Sequence, residues 1–299
     1  MRIMIALALF VTLPLMAYAS KTTTAVTSTG KIKSKPTAKH LIKNSELRAW
    51  IGSMSKLSVS TNLKYSGASL EDPFGKERPN PNGWGGDWST RLSGSVSGRY
   101  RINKMQSLTT GFGLSARKPF HGMEQAEWKN PFLGHSFAQR FTYLSGYFST
   151  SVTKYSQLND KRLGKNLNLY AGYTLKWTRI NKTGLTLGLK LDGAATAFSR
   201  GYNKSTDRKT SDYYFNLVPM VEYRLSTMFT VKTDVSFGYS HYRHFEQRSK
   251  FNRNKLYQRV GFGTAFTPEV YLYTYVSAYP ENYRTDVTTV SMSLSMSVF

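Results

Sequence analysis

The sequence predicts an all-β protein: an antiparallel transmembrane β-barrel of about twelve strands, with short turns at one rim and longer loops at the other. Three observations predict it. From about Met54 onward, apolar residues recur at every second position, the spacing that places them on one face of a strand. The alternating stretches run well past the five or six residues of an ordinary globular strand and match the roughly ten that a tilted strand needs to cross hydrocarbon. The opposite faces are filled with Ser, Thr, Gly, Lys and Arg, which suits a wet interior.

Composition narrows the alternatives. The 299 residues carry 41 Lys+Arg against 17 Asp+Glu, a formal charge of +24, together with 20 Tyr and 17 Phe. A disordered basic tail would be poor in aromatics. Mean hydropathy is -0.42. After the N-terminus no run approaches the about 20 apolar residues of a helical span. The chain has no cysteine, which excludes disulfide frameworks, zinc–cysteine sites and thiol nucleophiles.

At the N-terminus, Arg2 precedes an apolar stretch from Ile3 to Met16, and Ala17-Tyr18-Ala19 before Ser20 supplies the small residues of a cleavage site. This reads as a cleavable signal peptide over residues 1–19 rather than a membrane anchor. Residues 20–52 follow as a basic periplasmic linker. Leu41, Ile42, Leu47, Ala49 and Trp50 suit either a short amphipathic helix or a Trp50 anchor for the first strand. The barrel is expected over 53–299.

Each strand is justified by its row of alternate residues. The first row is Leu57, Val59, Leu63 and Tyr65. The longest runs from Trp88 through Thr90, Leu92, Gly94, Val96, Gly98 and Tyr100 to Ile102, with Ser89, Arg91, Ser93, Ser95, Ser97, Arg99 and Arg101 opposite. Next comes Leu108, Phe112, Leu114 and Ala116. Between Phe137 and Tyr155 the residues Phe141, Tyr143, Phe148 and Val152 keep no single parity, so the strand count is open there. Regular rows resume at Leu167 to Trp177, Leu185 to Leu191, Tyr213 to Tyr223 and Phe229 to Tyr239, and continue at Val260 to Phe266, Val270 to Val276 and Val290 to Val298.

Tight turns are expected at Asn103-Lys104, near Ser145-Gly146, at Asn181 to Gly184, at Leu225 to Thr227 and at Thr267 to Glu269. Long loops are expected near Gly67 to Gly86, Lys118 to Ser136, Asp160 to Lys165, Arg200 to Thr210, Arg243 to Asn254 and Pro280 to Arg284. Trp88, Tyr100, Trp177, Tyr213, Tyr223, Phe229 and Tyr239 lie near strand ends, as aromatic girdles at two lipid interfaces would. A soluble β-sandwich also alternates, but with shorter strands. An open edge in hydrocarbon would leave backbone groups unpaired, so strands with a lipid face must close.

If the apolar rows face lipid, Lys56, Lys64, Arg91, Arg99, Arg101, Arg117, Lys176, Lys190, Lys232 and Arg259 line the lumen, opposed by Asp192, Glu222 and Asp234. Such a lining favours anions, because low-dielectric walls focus the field. Pairs such as Lys190 with Asp192 and Lys232 with Asp234 would instead form interior salt bridges that plug the bore. Tyr170, Tyr214, Tyr271, Tyr273 and Tyr275 would either narrow the passage or stack against a sugar; spacing does not separate the two.

A signal peptide, an absence of cysteine, dyad repeats and a C-terminal strand ending at Phe299 together resemble the bacterial outer-membrane β-barrel proteins. By strand number and charge the chain is most similar to the small porins for acidic oligosaccharides. The resemblance implies an outer-membrane location and recognition by the barrel-assembly machinery. That machinery reads a terminal aromatic in phase with the apolar row; here the row ends at Val298, so Phe299 is one place out of phase. Loop residues Arg200, Lys204, Arg208, Lys209, Arg248, Lys250 and Arg253 are expected to meet lipopolysaccharide phosphates.

The expected function is a non-enzymatic, anion-preferring pore or solute channel, with a structural or adhesive barrel as the alternative. A lipid-hydrolysing enzyme is the weaker reading. Of His40, His121, His135, His241 and His244, none sits in a serine-hydrolase pattern, and Asn82-Gly83 lacks a neighbouring His-Ser. His241 and His244 are three apart and would face opposite sides of a strand, so no metal is expected there. No cofactor and no nucleic-acid partner are expected.

Overall fold

Twelve long strands carry the alternating rows. They are β1 (Leu57–Ser66), β2 (Arg91–Arg101), β3 (Gln106–Arg117), β4 (Gln125–Arg140), β5 (Leu144–Lys154), β6 (Lys165–Trp177), β7 (Leu185–Phe198), β8 (Ser211–Arg224), β9 (Phe229–Tyr242), β10 (Tyr257–Thr267), β11 (Val270–Ala278) and β12 (Thr289–Val298). The computed structural model describes residues 55–81, 87–141, 143–178, 184–199, 211–242, 251–267 and 269–298, all within the compact unit Ile42–Phe299. The expected signal peptide, the linker and Phe299 lie outside the described residues.

Every long strand pairs antiparallel with its neighbours in sequence, and β1 also pairs with β12, from Val59↔Val298 to Ser66↔Ser291. The sheet therefore closes on itself and has no edge, the condition for strands surrounded by hydrocarbon. Exposed apolar side chains occur on every one of these strands, among them Leu63, Leu92, Phe112, Leu133, Val152, Leu169, Leu187, Phe215, Phe237, Phe262, Val276 and Met292. A continuous apolar band around the whole exterior marks a transmembrane barrel, since soluble proteins expose only small apolar patches. The inward rows are polar, and on the β12–β4 side they are knit by hydroxyls. Ser60 and Ser97 lie 2.9 Å apart, Ser107 and Ser136 2.7 Å, and Asn62 Nδ2 donates to Ser295 Oγ at 2.8 Å.

The irregular stretch resolves into a single hairpin, β4–β5, so no strand pair is missing. Gly111 pairs with Phe132 but Gly113 pairs with Lys129, so Asn130 and Pro131 together oppose Phe112. This β-bulge, at a proline that has no amide to give the ladder, switches the parity of β4: Trp128 faces out before it, Leu133 after it. A fixed alternation could not survive that inserted residue. The expected loop at Lys118 to Ser136 is consequently short, with the strand resuming at Gln125 and carrying His135. The turn falls after Arg140, before Leu144, and not at Ser145-Gly146.

A second departure concerns Trp88 and Thr90, which extend the β2 row in sequence but leave the wall in space. Trp88–Ser89 pairs with Glu77–Arg78 in a separate two-stranded ribbon. Thr90 is fully buried at the junction, where its amide donates to Lys76 O at 2.9 Å and its carbonyl accepts from the Lys118 amide at 2.7 Å. Lys118 turns the chain there with φ 51°, in the left-handed region. Its ammonium bridges Glu77 at 2.9 Å and Glu124 at 3.1 Å, which holds it above the usual lysine range. A short helix, α1 (Leu158–Arg162), joins β5 to β6, and Phe251–Arg253 adds to the end of β9.

Closure of the β1–β12 seam is directly testable because the chain has no cysteine of its own. Asn62 and Ser295 are register partners. Directly opposed residues of an antiparallel pair sit within reach of a disulfide. Asn62→Cys combined with Ser295→Cys should form an intramolecular disulfide in the folded protein, read as a non-reducing electrophoretic shift that each single variant lacks.

Candidate functional site

The strand register decides which charges share the interior. On the inward rows lie Lys64 of β1, Arg91, Arg99 and Arg101 of β2, Arg117 of β3, Lys176 of β6, Lys190 of β7, Lys232 of β9 and Arg259 of β10. Asp192, Glu222 and Asp234 occupy inward rows on β7, β8 and β9. Lys56 does not join them. It precedes β1, is exposed, and sets its Nζ 5.5 Å from the ring centre of the outward-facing Tyr100. Its carbonyl still accepts from the Arg101 amide at 2.8 Å, but at the short-turn rim the ammonium is free to turn to an aromatic face. Lys129 and Glu127 are inward-facing as well, hidden from sequence reading by the bulge that follows them.

Asp192, Glu222 and Asp234 are concentrated on one wall, and each meets a base. Glu222 and Lys232 are direct cross-strand partners, as are Asp234 and Arg259. Glu222 Oε1 lies 2.7 Å from Lys176 Nζ and 3.8 Å from Lys232 Nζ, while Asp234 accepts from Arg259 Nε at 2.7 Å. Lys190 and Asp192 form an ion pair, as the sequence suggested. Lys232 does not pair with Asp234: each turns to the residue directly opposite on the neighbouring strand, a relation that register alone sets.

Next to this wall stand the inward tyrosines Tyr271, Tyr273 and Tyr275 of β11, all buried. They lean over β10 because Gly261 and Gly263 leave room there; a Cβ on either would collide with the tyrosine side chains. Tyr273 and Tyr275 stack at 4.8 Å, and Lys232 Nζ lies 5.3 Å from the centre of the Tyr273 ring. Tyr170 and Tyr214 face inward beside Asp192 on the register of β6, β7 and β8.

At the long-loop end the ribbon bends over the mouth. Arg78 Nη1 donates to the Val287 carbonyl at 2.7 Å, and its guanidinium stacks 4.6 Å above Trp88. Trp88 meets Tyr279 edge-on at 6.4 Å, and Tyr279 meets Tyr257 at 5.3 Å. Beneath lies a cavity of 530 Å³, lined among others by Lys64, Arg78, Arg91, Arg117, Trp88, Tyr257 and Tyr279, with Asp87 the one acid among the described lining residues. Arg91 and Arg117 are direct cross-strand partners, a like-charge pairing that works against sheet stability. Sequence reading missed Arg78 and Asp87, which sit in an irregular Gly- and Pro-rich loop, and assigned Trp88 to lipid because its parity continued the β2 row. At the short-turn end a smaller pocket is bordered by Arg99, Arg101, Ser136 and Tyr147.

Of the expected lipopolysaccharide contacts, Arg200, Lys204, Arg208, Lys209, Arg248 and Lys250 lie outside the described residues. Arg253 is exposed and forms an ion pair with Glu281. Among the histidines, His121 Nε2 contacts the Phe74 carbonyl at 2.7 Å. His241 stacks on Tyr213 at 4.4 Å with Asp212 3.4 Å away. Among the described residues no cluster of His, Cys, Asp and Glu is placed to hold a metal.

Arg78→Ala should loosen the mouth without unfolding the barrel. The change strands the Val287 carbonyl, which is worth about 1 to 3 kcal/mol, a local cost confined to the ribbon. Faster limited proteolysis between residues 67 and 90, with an unchanged barrel melting temperature, is the expected outcome.

No family model and no curated protein sequence matches this chain. Similar solved structures are barrels. An outer-membrane channel from Pseudomonas putida superposes with a TM-score of 0.53 at 11% identity, covering 83% of this chain and 97% of its own. The NanC porin gives 0.46 at 10% identity over 81% and 98%, and the KdgM porin 0.44 at 9% over 81% and 98%. Identities this low speak to architecture alone, and the architecture is that of a transmembrane β-barrel.

Proposed function

We propose that the protein is an outer-membrane channel that passes small anionic solutes. The observation that carries this reading is the mouth cavity, where Lys64, Arg78, Arg91 and Arg117 converge and, among the described residues, one acid, Asp87, joins them. The cross-strand opposition of Arg91 and Arg117 points the same way, because a stability-driven lining would alternate sign. Cationic groups around a recess with low-dielectric walls raise the local concentration of anions. Trp88, Tyr257 and Tyr279 add flat apolar faces beside the guanidinium groups, a combination suited to a solute with both a ring and a negative charge. The architecture shared with a known outer-membrane channel supports this reading. On this reading the inward-facing bases make the lumen electropositive, the outer rim meets lipopolysaccharide, and the chain reaches the membrane through a cleavable signal peptide and the barrel-assembly machinery. A purely structural or adhesive barrel is the competing outcome.

Planar-bilayer recording decides between them. The purified protein should give discrete conductance steps with a chloride-to-potassium permeability ratio above one. Arg91→Glu combined with Arg117→Glu should lower that ratio by about threefold or more per charge, the effect of a unit charge roughly 6 Å from the ion at water-like dielectric. An absence of conductance would instead favour the structural barrel.

A further inference from the structure

Resting on the channel reading, we propose that the mouth cavity is a saturable binding site for a phosphate group, taken as inorganic phosphate or as a phosphate monoester on a small polar ring. Its volume of 530 Å³ lies within the about 300–1,000 Å³ of pockets that hold a whole small molecule. Four cationic side chains border it against one described carboxylate, so a solute with a single negative charge would leave it strongly positive.

The protein does not balance this charge from within. Among the described residues Lys64, Arg91 and Arg117 form no ion pair, and Asp87 bridges to none of them. The acids of the adjoining wall are engaged elsewhere: Glu127 accepts from Gln125 and Gln157, and Asp160 from Lys165 at 3.0 Å and Asn130 at 3.3 Å. The cations instead act on one another, Lys64 on Arg78 and Arg91, and Arg91 on Arg117. A ligand that relieves this repulsion must bring more than one charge.

Geometry favours a tetrahedral group. The cations come from four parts of the chain: Lys64 from β1, Arg91 from β2, Arg117 from β3 and Arg78 from the ribbon above. Arg91 and Arg117 are direct cross-strand partners, with backbones about 5 Å apart. Arg78 spends one donor on the Val287 carbonyl, out of the five on a guanidinium. A planar carboxylate takes such forks in its own plane and brings one charge. A phosphate monoester brings about −1.5 to −2 at pH 7 and three acceptor oxygens that point in different directions. Ser66, Ser89, Thr289 and Ser291 also border the cavity and offer hydroxyls to the rest of the solute. Lys64, Arg91 and Arg117 lie on inward rows, so the phosphate they meet belongs to a solute in the bore and not to a lipid headgroup outside.

Equilibrium dialysis of the purified protein against inorganic phosphate and glucose 6-phosphate measures binding without needing a current. Both should bind saturably, and glucuronate, a similar ring with one negative charge, should bind about tenfold more weakly. Arg91→Gln combined with Arg117→Gln, and separately Lys64→Gln, should weaken phosphate binding by about tenfold or more, the loss of a charge-assisted hydrogen bond. Lys161→Gln, at an exposed position on α1, should not. Removing a like-charge pair does not threaten the sheet, and heat-modifiable electrophoretic mobility reports that each barrel has formed. Glucuronate binding as tightly as glucose 6-phosphate, or variants that keep the wild-type affinity, would overturn this inference and leave the channel reading standing. Anion-selective conductance without phosphate binding would do the same. Phosphate binding by a protein that conducts nothing would overturn the channel reading and leave the site, and the absence of both would overturn both.

Discussion

Unpaired backbone is intolerable in hydrocarbon, and the rest of this structure follows from that constraint. A strand with an oily flank can lie against lipid only if all its amides and carbonyls are paired, so the sheet must return to its first strand. Closure through β1 and β12 fixes the number of strands that neighbour one another, and with it an inside and an outside. Every outward row can then be apolar around the full circumference, and every inward row must handle its polar groups without bulk solvent on all sides.

The interior handles them differently on its two walls. From β12 through β1 to β4, serine and asparagine hydrogen-bond across the strands, an arrangement that needs no charge compensation. From β6 to β10, carboxylates pair with bases on the facing strand, as Asp234 with Arg259, or beyond an intervening one, as Glu222 with Lys176, and breaking such a buried pair one partner at a time is costly. The basic groups at the mouth stand apart from both. Arg91 faces Arg117, and Lys64 borders the same cavity. A barrel selected only for stability would have little reason to keep that cluster.

Small residues shape the bore as much as large ones do. Gly261 and Gly263 clear β10 so that the β11 tyrosines can lie across it, which turns a row that would stand upright into a buried shelf beside Lys232. At the opposite end, the Arg78 ribbon folds over the mouth and converts an open barrel end into a lined recess. The narrow places thus come from a missing Cβ in one case and from a loop contact between residues 209 apart in the other.

Period-two alternation, strand length and the polarity of the opposite face determined the fold from sequence alone, because each is a local property that backbone geometry converts directly into a lipid face and an inner face. The inward placement of Lys64, Arg91, Arg117, Lys176 and Arg259 was legible for the same reason. Parity stopped being informative at the Asn130-Pro131 bulge, which shifted β4 and hid Lys129, at the rim, where the exposed Lys56 side chain turns to the Tyr100 ring, and at Trp88, whose phase was right and whose strand was not. Pairing within a strand, as of Lys190 with Asp192, was legible, but pairing between strands was not, since whether Lys232 meets Asp234 or Glu222 depends on the stagger between two strands and on nothing within either. Only the tertiary structure could decide it, because register is fixed by the whole closed sheet at once.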